Sequence, residues 1–333
     1  MKILTNVVLT GALMLSAAHA EPIKLKLSSI SSDRAKAYLA VVKPFVDAVN
    51  AEGNGRIEIV AYFSGRISPA LTEQPDTVID GRADLAMIFP SYSPGRFPDA
   101  GVLQLPGLFH DAQEATYVFR RLVEKGAMSG ITDFIVVGVT MGPAEIINTR
   151  KQTASFADLK GQTIRVNNSI QGDALRRLGA IPVELPLKAA MDSLGQGKID
   201  GATSPPFLLF DYGIGRLTSK HFLIEAGGVP AALIMNRKTF DSLPPQDQAL
   251  IRKYGGSWLD KRSAALAVAL NEEVLTQISA DPLRSVVSPS PAEQAESQRV
   301  FNSVIEEWAR ARPRNQELLA LAREEIANYR KGE

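Results

Sequence analysis

From residue 23 the chain alternates short apolar stretches with longer amphipathic ones. Residues 23–28 read Ile-Lys-Leu-Lys-Leu-Ser, the period-two pattern of a strand with one buried face. Tyr38, Leu39, Val42, Phe45, Val46 and Val49 then recur at helical spacing, with Asp33 placed to cap the helix and Pro44 to kink it. Strands are expected at 57–63 and at 84–89, the second after a stop at Gly81, with a short helix at 71–79 between them. Pro94, Pro98 and Pro106 alternate with Gly95, Gly101 and Gly107 through 91–108 and predict a stiff, irregular loop. A helix capped by Asp111 and running to Lys125 turns Ala115, Val118, Phe119 and Leu122 inward, and the β-branched run 134–141 follows as a strand.

Past Gly142-Pro143 the pattern restarts. Strands are expected at 163–166 and 198–203, helices at 170–178 and 187–194, and strands at 222–225 and 231–236, the last placed to return the chain to the first sheet. Helical spacing then persists over 245–279, which at 1.5 Å per residue is about 50 Å and more than one small domain is wide. Gly255-Gly256 marks its kink, and helices at 291–310 and 314–329 follow. Strand–helix alternation of this kind builds α/β architecture with largely parallel sheets. Two such sets predict two lobes, 21–143 with about 231–268 and 144–230 with about 269–333, tied together by the long helix.

Residues 1–20 stand apart: Lys2, an apolar stretch from Ile3 to Leu15, and Ala18-His19-Ala20 predict an export signal cleaved before Glu21. The stretch is shorter than the ~20 residues that span a bilayer, so the mature chain is expected in the periplasm. Removing it leaves 313 of 333 residues, enough for two compact domains. The lack of cysteine excludes a lipid-anchored N-terminus, a disulfide scaffold, a thiolate zinc site and a cysteine nucleophile. With 37 basic and 36 acidic residues and no long block of either sign, no nucleic-acid or membrane-binding surface is indicated.

Signatures of catalysis are scarce. There is no G-x-S-x-G elbow or Walker A sequence, and Gly213-Ile214-Gly215 lacks the third glycine and preceding strand of a dinucleotide fingerprint. His110 and His221 have no partner at metal-ligand spacing, so neither a metal nor a cofactor is expected; each reads as a partly exposed cap. Glu272-Glu273, Glu306-Glu307 and Glu324-Glu325 read as solvated helix faces. Arg165 is more informative, because it ends a strand and precedes Asn167-Asn168-Ser169 at a helix start. Ligands of open α/β sheets collect there, and an arginine with helix N-terminal amides can hold a carboxylate bidentately. Its spacing is equally that of a surface ion pair.

Taken together, Asp158-Leu159-Lys160-Gly161, Ile164-Arg165-Val166, Leu178-Gly179-Ala180 with Pro182, and Gly197-Lys198-Ile199-Asp200-Gly201-Ala202 resemble the solute-binding receptors of tripartite ATP-independent periplasmic (TRAP) transporters, of the dicarboxylate-receptor type. Supporting matches are Gly81-x-Ala83-Asp84, Pro94 to Pro98, Leu105 to Phe109 and Asn148-Thr149-Arg150. The resemblance implies a two-lobed periplasmic-binding-protein-like fold, a ligand cleft between the lobes, and an arginine, here Arg165, that pairs with the carboxylate of a small organic acid. It places Asn167 and Asn168 along the cleft and brings Ser91, Tyr92 and Arg96 to it from the first lobe. It also implies closure on the ligand and delivery to membrane subunits; the receptor is expected to be a monomer.

Two departures bear on the ligand. A second arginine frequent in the family falls on Ala144, and the family's D-G-A-E-N-P reads Asp200-Gly201-Ala202-Thr203-Ser204-Pro205. The family aromatic near the next helix is Leu187. These changes remove charge and amide groups and favour a carboxylate with an apolar or aromatic body, which Phe207, Phe210 and Tyr212 can face unless they simply pack in the core. A ligand-binding module that reports to a sensor kinase would use the same cleft, and an enzyme built on this scaffold would need an acid–base pair there.

Overall fold

The computed structural model describes residues 21–332; the expected export signal lies outside the described residues. The chain lays down β1 (Ile23–Ser28), β2 (Ile57–Tyr62), β3 (Leu85–Ile88) and β4 (Ile135–Met141) in one sheet. It then builds β5 (Ile146–Thr149), β6 (Thr163–Val166), β7 (Ile181–Glu184), β8 (Gly201–Ser204) and β9 (Lys220–Phe222) into a second, returns to the first as β10 (Pro230–Met235), and adds β11 (Ser285–Val287) to the edge of the second. The orders are β2-β1-β3-β10-β4 and β11-β9-β5-β8-β6-β7. β1, β2 and β3 are parallel, and β10 runs antiparallel between β3 and β4. Every residue of β10 is buried, as its unbroken apolar sequence Pro-Ala-Ala-Leu-Ile-Met requires.

Local chemistry sets the breaks. The first helical region divides at Val42 into Lys36–Val41 and Lys43–Gly53, with Pro44 in the first turn of the second helix, where its missing N–H costs nothing. The expected kink is thus a break, and the first helix is preceded by Ala35, not capped by Asp33. The region 71–79 is a 3-10 turn leading into Gln74–Ile79, and the proline-rich loop contains 3-10 turns at Pro90–Tyr92 and Pro98–Gln104.

The long helical region breaks at Gly255-Gly256, where Gly256 has φ 56°, a left-handed conformation open to glycine. Beyond it, Ser257–Ala280 spans both lobes over about 36 Å. Its Leu259 joins the core of the first lobe, while Val274 and Ile278 pack with Ala202, Leu209 and Ile214 in the second. Gly138 permits this approach, since a Cβ there would lie 2.4 Å from Leu259 Cδ2. The same helix covers the exposed edge of β4. Gly256 N–H donates to Val137 O at 2.7 Å, Val139 N–H to Asp260 Oδ1 at 2.7 Å, and Met141 N–H to Thr116 Oγ1 of the neighbouring Ala112–Glu124 helix at 2.8 Å. An uncovered edge would be a template for aggregation.

Pro291–Arg310 opens with a capping box between Ser290 and Glu293 and sends Phe301 and Val304 into the second lobe, Ile305 and Ala309 into the first. The last helix, Pro313–Lys331, packs Leu318, Leu319, Ala322 and Ile326 against the first-lobe core, so the tail expected in the second lobe ends in the first. Glu325, expected on a solvated face, is 1% exposed and pairs with Lys125 at 2.6 Å and Arg121 at 3.2 Å.

His221 on β9 is not a partly exposed cap. It is fully buried, with Nδ1 2.8 Å from Asn148 Oδ1 and Nε2 3.3 Å from Arg284 Nη1. An arginine donor at Nε2 requires a neutral ring with its proton on Nδ1, and burial with the charges of Arg284 and Lys220 lowers the pKa to about 4. The unfolded chain therefore binds this proton more readily, and stability falls as pH drops from about 6.5 toward 4. A loss of about 2 kcal/mol between pH 7 and pH 5 is expected from this residue. Urea unfolding at both pH values should show the loss in the natural protein and a smaller one in His221→Gln.

Candidate functional site

Besides the helices that bridge the lobes, two strand-to-strand segments carry the chain between the two sheets, 142–145 after β4 and 223–229 before β10. They bind each other: Glu145 N–H donates to Gly227 O at 2.8 Å, and Ala226 N–H to Glu145 O at 3.0 Å. A cavity of about 60 Å³ lies beside this paired hinge, between the lobes. At about 10–15 Å³ per water, it has room for some four waters and hence for a compact solute.

Arg165 enters from β6, whose register sets it beside Val183 of β7 and Ala202 of β8. It is 2% exposed, one of the largest fully buried side chains. Nε donates to Leu185 O at 3.0 Å, whereas Nη2 is buried with no hydrogen-bond partner. A buried guanidinium N–H without an acceptor is costly, and the Arg165 side chain lines the cavity.

A hydrogen-bonded chain stands next to it. Tyr92 Oη donates to Asn167 Oδ1 at 2.9 Å, directly joining the first lobe to the second. Asn167 Nδ2 donates to Glu145 Oε1, and Gln171 Nε2 to Glu145 Oε2 at 2.5 Å. Gln171 Oε1 in turn accepts from Thr203 Oγ1 at 2.8 Å and from Asn167 N–H at 3.0 Å. Burial pushes the Glu145 carboxyl above its ordinary range, while the amides, Thr203 and the Arg165 charge pull it down. Burial raises the Tyr92 and Tyr212 phenols as well, so both are protonated donors near neutral pH. The rest of the wall is largely apolar, with Met87, Phe89, Leu187, Phe207, Leu208 and Ile214 prominent.

Of the residues expected at the site, Arg165, Asn167, Tyr92, Ser204 and Phe207 line this cavity. Ser204 Oγ donates to Pro205 O at 3.0 Å. Ser91 and Asn168 line an outer vestibule of about 770 Å³, separated from the cavity by Tyr92, Asn167 and Leu187, which border both. Asn168 caps the Ser169–Arg177 helix through Gln171 N–H at 2.8 Å. Arg96 borders neither space: it pairs with Asp76 and lies 6.0 and 5.9 Å from the rings of Phe97 and Phe134. Tyr212 faces the cavity, whereas Phe210 packs beneath Arg284. Ala144 lines a groove behind the hinge, and its neighbour Glu145 faces the cavity instead.

Glu145 and Thr140 also line the cavity, and Gln171 holds the Glu145 carboxylate, none of the three having been expected. Only Glu145 has any sequence signal, as a charge in the crossover where the family carries arginine.

Two α/β lobes, paired crossover segments and a cavity between them with a free guanidinium donor are the features of a solute receptor. The family model of bacterial extracellular solute-binding proteins, family 7 (DctP), matches residues 27–311, and the chain belongs to this family of TRAP-transporter receptors. It is 22% identical over 244 residues to the C4-dicarboxylate-binding periplasmic protein DctP of Rhodobacter capsulatus, covering 71% of this chain and 73% of that one. A TRAP solute-binding protein from Rhodoferax ferrireducens, solved with copurified benzoate, superposes with a TM-score of 0.83 at 26% identity, over 93% of this chain and 99% of that one. A marine metagenome TRAP solute-binding protein specific for aromatic acids, solved with 3-hydroxybenzoate, shares the fold with a TM-score of 0.87 at 24% identity, over 93% and 99% of the two chains.

Proposed function

We propose that this receptor captures a small carboxylic acid with a compact, apolar or aromatic body in the periplasm and hands it to the transporter's membrane subunits without chemical change. The observation that carries this is the partnerless, buried Nη2 of Arg165 in a small, mainly apolar cavity. A carboxylate oxygen is the natural acceptor for it, and the apolar wall suits a ring or short hydrocarbon. The benzoate and 3-hydroxybenzoate held by the two structural relatives have this character. Residues 1–20 would serve as the export signal. Capture without turnover fits a site whose polar groups are amides and hydroxyls bonded mainly to one another and to Glu145.

Isothermal titration with benzoate, 3-hydroxybenzoate and mandelate against gulonate and galacturonate tests the ligand class. Tighter binding of the compact acids is expected, and tighter binding of the sugar acids would overturn the assignment. The Tyr92–Asn167 bond spans the lobes beside the cavity and acts as a latch on the closed form. Tyr92→Phe removes one neutral hydrogen bond, so affinity should fall about 3- to 10-fold. Most of that change should appear as faster dissociation in stopped-flow measurements.

A further inference from the structure

We infer that Glu145 restricts the cavity to acids carrying a single charge, an inference that rests on the capture of a carboxylate by Arg165. Among the described residues that line the cavity, Arg165 is the only cation and Glu145 the only carboxylate. Both are almost completely buried, at 2% and 3% exposure. The site is therefore electrically balanced before any ligand enters, unlike one in which an arginine waits alone.

A first ligand carboxylate disturbs that balance by one negative charge. It gains the Nη2 donor of Arg165, which has no other hydrogen-bond partner, and its charge is set against the single cation of the lining. The other titratable groups facing the cavity are the phenols of Tyr92 and Tyr212, which add no positive charge. A second ligand carboxylate finds no further cation among the described lining residues and adds its charge to those of the first carboxylate and of Glu145. It would lie in a largely apolar space between the lobes beside like charges, where repulsion is screened less than in bulk water.

Glu145 is also fixed in place. Its backbone is bonded on both sides to the opposite crossover segment, and its two oxygens are held by Asn167 and Gln171. Its carboxylate cannot swing away from an incoming anion without breaking its bonds to Asn167 and Gln171, and with them the chain that leads to Tyr92.

The test compares probes of equal size that differ by one charge: 3-carbamoylbenzoate with isophthalate, and succinamate with succinate, by isothermal titration at pH 7.5. In the natural protein the monoanion of the better-bound pair is expected to bind on the order of 100-fold more tightly than its dianion. Glu145→Gln should shrink that ratio by about tenfold or more, with the monoanion binding at least as well as before. Glu145→Met serves the same purpose where the glutamine variant does not fold. Equal binding of the two members of a pair in the natural protein overturns the inference while leaving carboxylate capture intact. So does a ratio that survives removal of the carboxylate, which would assign the discrimination to shape. If no monoanion binds, the reading of Arg165 falls and this inference falls with it.

Discussion

Replacing Arg165 with alanine is expected to raise the dissociation constant of the bound acid by about 30- to 4,000-fold. That range corresponds to the roughly 2 to 5 kcal/mol lost when one partner of a buried charge pair is truncated. The guanidinium contributes orientation as well as charge, because Nε is pinned to Leu185 O at 3.0 Å while Nη2 is left without a partner. The substitution has a second consequence. Glu145 would remain buried without the opposite charge that helps hold it ionised, so stability should fall too. The double variant Arg165→Ala/Glu145→Gln separates the effects. It should recover stability in urea unfolding but not affinity in titration calorimetry; recovery of affinity would mean that Arg165 only supports the fold.

Asp260→Ala is expected to destabilise the protein by about 3 to 5 kcal/mol, the cost of breaking a buried ion pair from one side. Arg120 Nε meets Asp260 Oδ2 at 2.6 Å and Nη2 meets Oδ1 at 3.1 Å, with both side chains almost fully buried. The carboxylate also accepts the outward N–H of Val139 on the edge strand β4. Its loss would strand a guanidinium and a backbone donor together at the point where the long helix grips the first lobe. Burial nonetheless pushes the Asp260 carboxyl above its ordinary range despite Arg120, so the pair's net contribution is small even though each half depends on the other. Arg120→Met/Asp260→Leu should accordingly be less destabilised than either single variant in urea unfolding.

Periodicity made the strongly patterned elements legible. β1, β2, β3, β4 and β10, the Ala112–Glu124 helix and the glycine break in the long helix all follow from runs of apolar residues with clear stops. β5, β7 and β11 were not visible because three or four residues carry too little pattern, and β7 contains Pro182 and the exposed Ile181. Their strand character comes from pairing with neighbours, a tertiary effect. Of the site, Arg165 was legible through its place at a strand end before a capped helix. The partners of Glu145 were not, since Asn167 and Gln171 lie 22 and 26 residues from it in sequence and meet it only when the second lobe folds. Arg96 illustrates the opposite error: a loop arginine near the cleft found its acid within the same lobe.

The central claim, that an organic acid is captured between the lobes, is tested most directly by a thermal-shift screen of residues 21–333 against small carboxylates and neutral solutes of similar size. A ligand that binds only the folded state at 100 times its dissociation constant adds about 2.7 kcal/mol. A dose-dependent rise in Tm with compact monocarboxylates, absent for their amides, is the expected result. A rise with the amides and none with any acid would contradict the account, because Arg165 would then have no carboxylate to hold.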